Sequence, residues 1–113
     1  MKHDEKLLMP EERIEESAQI GAKLARLRVA RGIRQVDAAV RAGMARSTAV
    51  LIEKGDPGRT LAQIFKYLEA IAPGVSLLEL LQESDPALVV LAARELTQRV
   101  RTMSQKELDQ LDF

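Results

Sequence analysis

The sequence predicts an all-α chain, with five short helices in one domain followed by an additional C-terminal helix and a short tail. Three observations predict it. Hydrophobic residues make up 46% of the 113 residues, but aromatics only 3%, and tryptophan is absent. A core must then be built from Leu, Ile, Val and Ala, which suits packed helices better than a sheet, where aromatic and β-branched side chains lead. Apolar residues recur at helical spacing from Ser17 onward. Glycine and proline interrupt that pattern at short intervals, at Gly32, at Gly43, over 55–58 and at Pro73-Gly74.

The elements follow in order. Residues 1–16 are mostly polar, with Glu11, Glu12, Glu15 and Glu16 after Pro10, and read as a mobile acidic tail leading into the first helix. Ile20, Leu24 and Leu27 make the stripe of that helix, which ends at Gly32. Val36, Ala39 and Val40 form a second, short stripe closed by Gly43. Ala45 to Lys54 is a third segment that places Thr48 and Ile52 on one face, and Gly55-Asp56-Pro57-Gly58 is a loop by its turn chemistry. Thr60 caps a fourth helix with Leu61, Ile64, Phe65, Leu68 and Ile71 on its apolar face. After Pro73-Gly74, Ser76 caps a fifth carrying Leu77, Leu80 and Leu81. These five elements bound a domain at 17–82. In the remaining 83–113, Asp85-Pro86 opens a sixth helix, expected over 86–101, with Leu88, Leu91, Ala92, Leu96 and Val100 apolar, as core or dimer packing. Ser104-Gln105-Lys106-Glu107 is a capping-box pattern before a last short turn.

Composition excludes several chemistries. The chain has no cysteine, which rules out disulfides, thiolate catalysis and cysteine metal sites. No apolar run approaches the roughly 20 residues that span a bilayer, and Met1 to Lys6 lacks a signal-peptide pattern, so a cytoplasmic, nucleoid-associated chain with no membrane partner is expected. His3 is the single histidine, lies in the tail and is expected to have no role. The Glu11–Glu16 cluster reads as a solvated helix start rather than paired catalytic carboxylates. No nucleophile–base pairing, phosphate loop or metal-ligand spacing occurs, and the expectation is no enzyme, no cofactor and no metal. Formal net charge is zero, yet residues 17–82 hold ten basic and five acidic groups between two acidic ends. Phosphate attraction acts locally, so this asymmetry outweighs the total.

The informative stretch runs from Ile33 to Gly55. Two short helices meet at Gly43, which supplies the backbone freedom of a tight interhelix turn, and Ala39 is small enough to let them approach closely. With Thr48 and Ile52 buried, the third helix presents Arg46, Ser47, Val50 and Leu51 on its other face. That is the geometry of a helix entering a DNA major groove by its N-terminal end.

This stretch resembles the Cro/lambda-repressor (XRE) helix-turn-helix family, with Leu27-Arg28-Val29-Ala30-Arg31-Gly32 before it similar to the family's first-helix ending and Ile52-Glu53-Lys54-Gly55 similar to the end of its recognition helix. The resemblance covers roughly 17–82 and implies a lambda-repressor-like five-helix DNA-binding domain. It implies that Arg46 and Ser47 read bases, arginine making two bonds to guanine O6 and N7. Val50 sits on the same face, and Leu51 matches a position that often reads a base, here by apolar contact with a thymine methyl. By the same resemblance Gln35 bonds a phosphate and braces the first base-reading residue, and Arg28 and Glu53 form an internal salt bridge between helix 1 and the end of helix 3. Arg34, Lys54 and Arg59 are placed to meet phosphates, which set register without reading sequence; Lys54 equally suits a helix C-terminus as a cation. Two positions depart from the pattern. Ala45 stands where the family usually has a Ser or Thr cap, a loss of about 0.5–2 kcal/mol of local helix stability, and Leu51 replaces a commonly polar residue, which leaves the operator open.

Function follows as an expectation: a sequence-specific regulator, a homodimeric (auto)repressor on double-stranded DNA. Glu53 to Gly58, Arg99-Val100-Arg101 and the ending Leu108 to Phe113 are also similar to HipB-type regulators, which repress their own operon and hold a HipA-type kinase toxin. That similarity implies an antitoxin role in which the C-terminal tail docks on the toxin protein. A third alternative is an interaction module that kept the fold without DNA binding.

Overall fold

Pro10 opens the first helix. Its carbonyl accepts from the amides of Arg13 at 3.0 Å and Ile14 at 3.2 Å, and its ring fixes φ at a value the helix entry needs. α1 then spans Glu11–Ala30, so the chain is helical six residues before Ser17, where its apolar stripe begins. Charge explains the earlier start. Glu11 and Glu12 lie in the first turn, where carboxylates complement the helix dipole, and Arg13 bridges Glu16 at 2.6 Å one turn on. The computed structural model describes residues 8–82 and 85–111, with 103–111 described through the backbone alone. The expected tail before residue 8, His3 within it, and the ending Asp112-Phe113 lie outside the described residues.

Five further helices follow: α2 Gln35–Ala42, α3 Arg46–Lys54, α4 Leu61–Ile71, α5 Leu77–Gln82 and α6 Pro86–Leu111. The architecture is all-α, and there is no strand among the described residues. α2 and α3 each stop on a left-handed glycine, Gly43 at φ 68° and Gly55 at φ 72°. Gly55 is needed twice over. A Cβ there would lie 2.0 Å from the Ser17 carbonyl oxygen, and one on Gly21 would lie 2.3 Å from the Gly55 nitrogen. Helix α1 and the end of α3 therefore pack backbone against backbone, and the Ser17 hydroxyl donates to the Gly55 carbonyl. α4 has a complete capping box, in which Thr60 Oγ1 accepts from the Gln63 amide at 3.1 Å and Gln63 Oε1 accepts from the Thr60 amide at 3.0 Å.

The core gathers Leu24 and Leu27 of α1, Ala38 and Ala39 of α2, Ala49 and Ile52 of α3, Tyr67, Leu68 and Ile71 of α4, Leu80 of α5 and Leu88 of α6. The α2 stripe differs from the expected one. Ala38 and Ala39 are buried, whereas Val36 is exposed and Val40 is 73% exposed. Packed directly against both α3 and α4, α2 turns Ala38 and Ala39 inward, with Ala42 partly buried beside them, so that three helices can approach. Leu61, Phe65 and Leu81 are likewise more exposed than their spacing predicts, and so are Leu96 and Val100 of α6. α6 also runs through Ser104 without the expected break; the side chains of that capping-box pattern lie outside the described residues.

Two ion pairs clasp α6 to α1. Arg31 Nη2 meets Asp85 Oδ2 at 2.6 Å, and Arg26 donates through both terminal nitrogens to Glu95 at 2.8 Å each. Asp85 also caps α6, accepting from the Ala87 amide at 2.9 Å. Among the described residues no helix is long and apolar enough to cross a membrane.

The Arg31 guanidinium, opposed in part by burial, holds the Asp85 carboxyl below its ordinary value of 3.8. A carboxylate depressed in the folded state contributes stability that is full above the ordinary value and lost as pH falls through the lower folded one. Asp85→Asn is expected to cost about 1 kcal/mol near neutral pH. It should also flatten the loss of stability below about pH 4, measured by urea denaturation of both proteins across acid pH.

Candidate nucleic-acid interface

The Glu53 carboxylate, on the last turn of α3, collects donors from three other helices. Its Oε2 accepts from Arg28 Nε at 2.6 Å, and its Oε1 from Arg28 Nη2 at 3.0 Å. Oε1 also accepts from Gln35 Nε2 at 3.1 Å, and Oε2 from the Tyr67 hydroxyl. Arg28 reaches further, donating Nη1 to the Ile33 carbonyl at 2.9 Å in the turn before α2. One carboxylate thus ties α1, α2, α3 and α4 together. The Glu53 side chain is only 8% exposed, so its charge is viable there because the lone pairs are satisfied and the Arg28 charge is adjacent. The hydrogen bond that Arg28 donates to Glu53 raises the Arg28 pKa against the opposing effect of burial. Burial, followed by the hydrogen bond to Glu53, pushes the Tyr67 phenol well above its usual value. Tyr67 therefore remains a donor throughout the neutral range.

The opposite end of α3 is open. Its N-cap residue, Ala45, has extended backbone and offers no side-chain cap; the Thr48 amide donates to the Ala45 carbonyl at 3.0 Å, and the Arg46 and Ser47 amides ahead of it keep their capacity to donate outward. Arg46 and Ser47 are exposed at this end, Val50 and Leu51 are half-buried one turn on, and Lys54 is exposed at the far end. Arg46, Val50 and Lys54 recur every four residues, with Ser47 and Leu51 beside them, so these five share one broad face. Ala49 and Ile52 hold the other face in the core.

The remaining sequence-derived residues lie around this face in different states. Arg34 is exposed at the N-cap of α2 and pairs with Asp37 at 2.9 Å, the Asp37 hydrogen bond raising its pKa. Gln35 opens α2 with its amide nitrogen directed to Glu53 rather than toward the start of α3. Arg59 is half-buried in the loop after α3, 3.8 Å from Asp56, and its Nε is buried without a hydrogen-bond partner.

Sequence reasoning missed Tyr67. The usable signal is that the chain's single tyrosine sits next to Leu68 and three residues after Ile64, on the inward side of α4, where a buried phenol needs an acceptor. It also missed Gly21, which is distinguished only by its contact with Gly55.

Replacing Glu53 with Gln keeps the shape and removes the charge, leaving Arg28 nearly buried without its counter-ion. The expected loss is about 3 kcal/mol. Tyr67→Phe is expected to cost about 1 kcal/mol. Both are read from denaturant midpoints, with far-UV circular dichroism as the check that the helices persist.

Comparison with known proteins agrees with this arrangement of α2, turn and α3. A profile of the helix-turn-helix domain matches residues 19–81, more than half of the chain and all of α2 to α4. No curated protein and no solved structure matches. The chain belongs to the helix-turn-helix domain family.

Proposed function

We propose that this chain is a sequence-specific DNA-binding regulator of the Cro/lambda-repressor type, acting as a homodimeric repressor on a pseudo-palindromic operator. The observation that carries the reading is the polarity of α3, locked at its C-terminal end by the Glu53 cluster and open at its N-terminal end, where Arg46 and Ser47 project. In the major groove Arg46 forms two parallel bonds to guanine, and Val50 and Leu51 lie against a thymine methyl or another apolar base edge. Arg34, Lys54 and Arg59 meet phosphates. For Arg34 this means exchanging the Asp37 carboxylate for a phosphate oxygen, a trade of one charge-assisted bond for another, whereas Arg59, 3.8 Å from Asp56 with no hydrogen bond at its Nε, gives up only a longer-range attraction. Gln35 keeps its bond to Glu53 and offers its second amide hydrogen to a phosphate, since an amide nitrogen carries two donors. Two such helices in a dimer are spaced by one turn of duplex, about 34 Å. The reading assigns the chain no catalytic step.

A second reading, a HipB-type antitoxin that also binds a kinase toxin, is favoured by a separate surface. Phe65 of α4 and Leu78 of α5 are large, apolar and exposed and line one groove, which offers an area for a protein partner.

The test is selection of bound duplexes from a random library, with Arg46→Ala in parallel. The expected result is an enriched palindrome for the wild type, and for the variant a loss of about 1–3 kcal/mol with relaxed choice at one base position. Arg34→Ala and Arg59→Ala should weaken all duplexes alike and reduce the salt dependence. An absence of enrichment would contradict sequence-specific reading and favour an interaction module.

A further inference from the structure

Each acidic residue in the stretch that builds the candidate interface has an arginine beside it. Between Ile33 and Thr60 the acids are Asp37, Glu53 and Asp56, against the bases Arg34, Arg41, Arg46, Lys54 and Arg59. Glu53 is taken up inside the domain by Arg28, Gln35 and Tyr67. Asp56 is committed to its loop, where its Oδ1 accepts from the Gly58 amide at 3.0 Å, and it stands 3.8 Å from Arg59. Asp37 differs from both. It accepts from Arg34 on each oxygen, from Nε at 2.9 Å and from Nη2 at 3.5 Å, and its carboxylate makes no other hydrogen bond among the described residues.

The pair stands where a duplex lying on α3 would meet it. Arg34 is the N-cap of α2, and Gln35 beside it reaches Glu53 on the last turn of α3 at 3.1 Å. The start of α2 therefore lies against the C-terminal end of α3, near exposed Lys54. Both side chains are open to solvent, 78% exposed for Arg34 and 45% for Asp37. Asp37 thus offers the Arg34 guanidinium two anionic oxygens, as a phosphate does, on the surface that a phosphate backbone would approach.

Two effects on DNA binding follow. To bond a phosphate, Arg34 must leave Asp37 or divide its donors between two anions. An exposed pair of this kind withholds its arginine by a factor of about five at most. The carboxylate then stays within a Debye length, about 8 Å at physiological salt, of the phosphate that Arg34 holds, and repels it. Neither effect depends on base sequence, since phosphate contacts set register without reading it. For the fold the same charge is favourable, because Asp37 stands in the first turn of α2, where a carboxylate complements the helix dipole. Its effects on folding and on binding have opposite signs.

We infer that Asp37 is an intramolecular counter-ion that competes with DNA phosphate for Arg34 and limits the affinity of the chain for duplexes of any sequence. The inference rests on the DNA-binding reading and adds to it a positioning residue that acts through Arg34.

The test is titration of the full chain with a fluorescent random-sequence duplex over a range of salt concentrations. Wild type is compared with Asp37→Asn, Asp37→Glu, Arg34→Ala and the double variant Arg34→Ala/Asp37→Asn. Thermal circular dichroism checks that each is folded, and Asp37→Asn is expected to melt slightly below wild type. The same variant is expected to bind about 3–10-fold more tightly at low salt, with a slope of log affinity against log salt steeper by about one. Asp37→Glu, which keeps a carboxylate within reach of Arg34, should stay near wild type. In the Arg34→Ala background the Asp37→Asn gain should vanish. A loss of stability with a gain in binding is a signature that a purely structural role for Asp37 does not produce. No gain in Asp37→Asn, an equal gain in Asp37→Glu, or a gain undiminished without Arg34 would overturn the counter-ion role and leave the DNA-binding reading standing. A wild type that binds no duplex at low salt would overturn both.

Discussion

The structure depends on the desolvated carboxylate of Glu53. Four donor groups from three helices converge on its two oxygens, and each donor would be poorly placed if α3 were rotated or shifted by a residue. Buried ion pairs seldom add much net stability over apolar packing of the same volume, because desolvation consumes most of the Coulomb gain. Their distinct contribution is selectivity. Ala49 and Ile52 would hold α3 against the core in several neighbouring rotations, but only one brings Glu53 to Arg28, Gln35 and Tyr67 together. The backbone contact of Gly21 with Gly55 fixes the height of α3 against α1 in the same way, with no room for a Cβ on either side.

Holding and reading are therefore separated along one short helix. In the C-terminal turn of α3 Glu53 is taken up by internal partners and Ile52 by the core, while the N-terminal turn carries no side-chain cap and presents Arg46 and Ser47 to solvent. A missing cap weakens a helix end by about 0.5–2 kcal/mol, a cost that a nine-residue helix sustains because its other end is anchored. The Arg46 and Ser47 amides and the positive dipole end of this helix remain for an anionic partner, which suits the approach to a phosphate backbone.

Much of the fold is legible in the sequence because it follows from periodicity. The stripes through Leu24 and Leu27, Leu68 and Ile71, and Leu80 give helices at the right places, and Gly43 and Gly55 mark the turns by backbone geometry alone. What is not legible depends on contacts between distant segments. Val36 and Val40 outrank Ala38 in hydrophobicity, and only the approach of α3 and α4 explains why the alanines face inward. Asp85 looks like a simple helix cap until Arg31, 54 residues earlier, is seen beside it. At the candidate site the exposed residues of α3 follow from burying Ile52, but the orientation of Gln35 depends on Glu53, 18 residues later in the chain. The end of α6 misleads for a different reason, because Ser104-Gln105-Lys106-Glu107 is as compatible with a helix interior as with a new helix start.

The central claim is that α3, held by Glu53, presents its N-terminal face to duplex DNA. The most direct measurement is to follow backbone amide signals of the isotope-labelled chain by NMR during titration with a short duplex at low salt, where even unspecific binding populates the complex. The account predicts shifts concentrated at 34–35, 44–51 and 54–59, with α5 and α6 little changed. Shifts centred on α4 to α6, or none near Arg46 when binding is saturated, would contradict it.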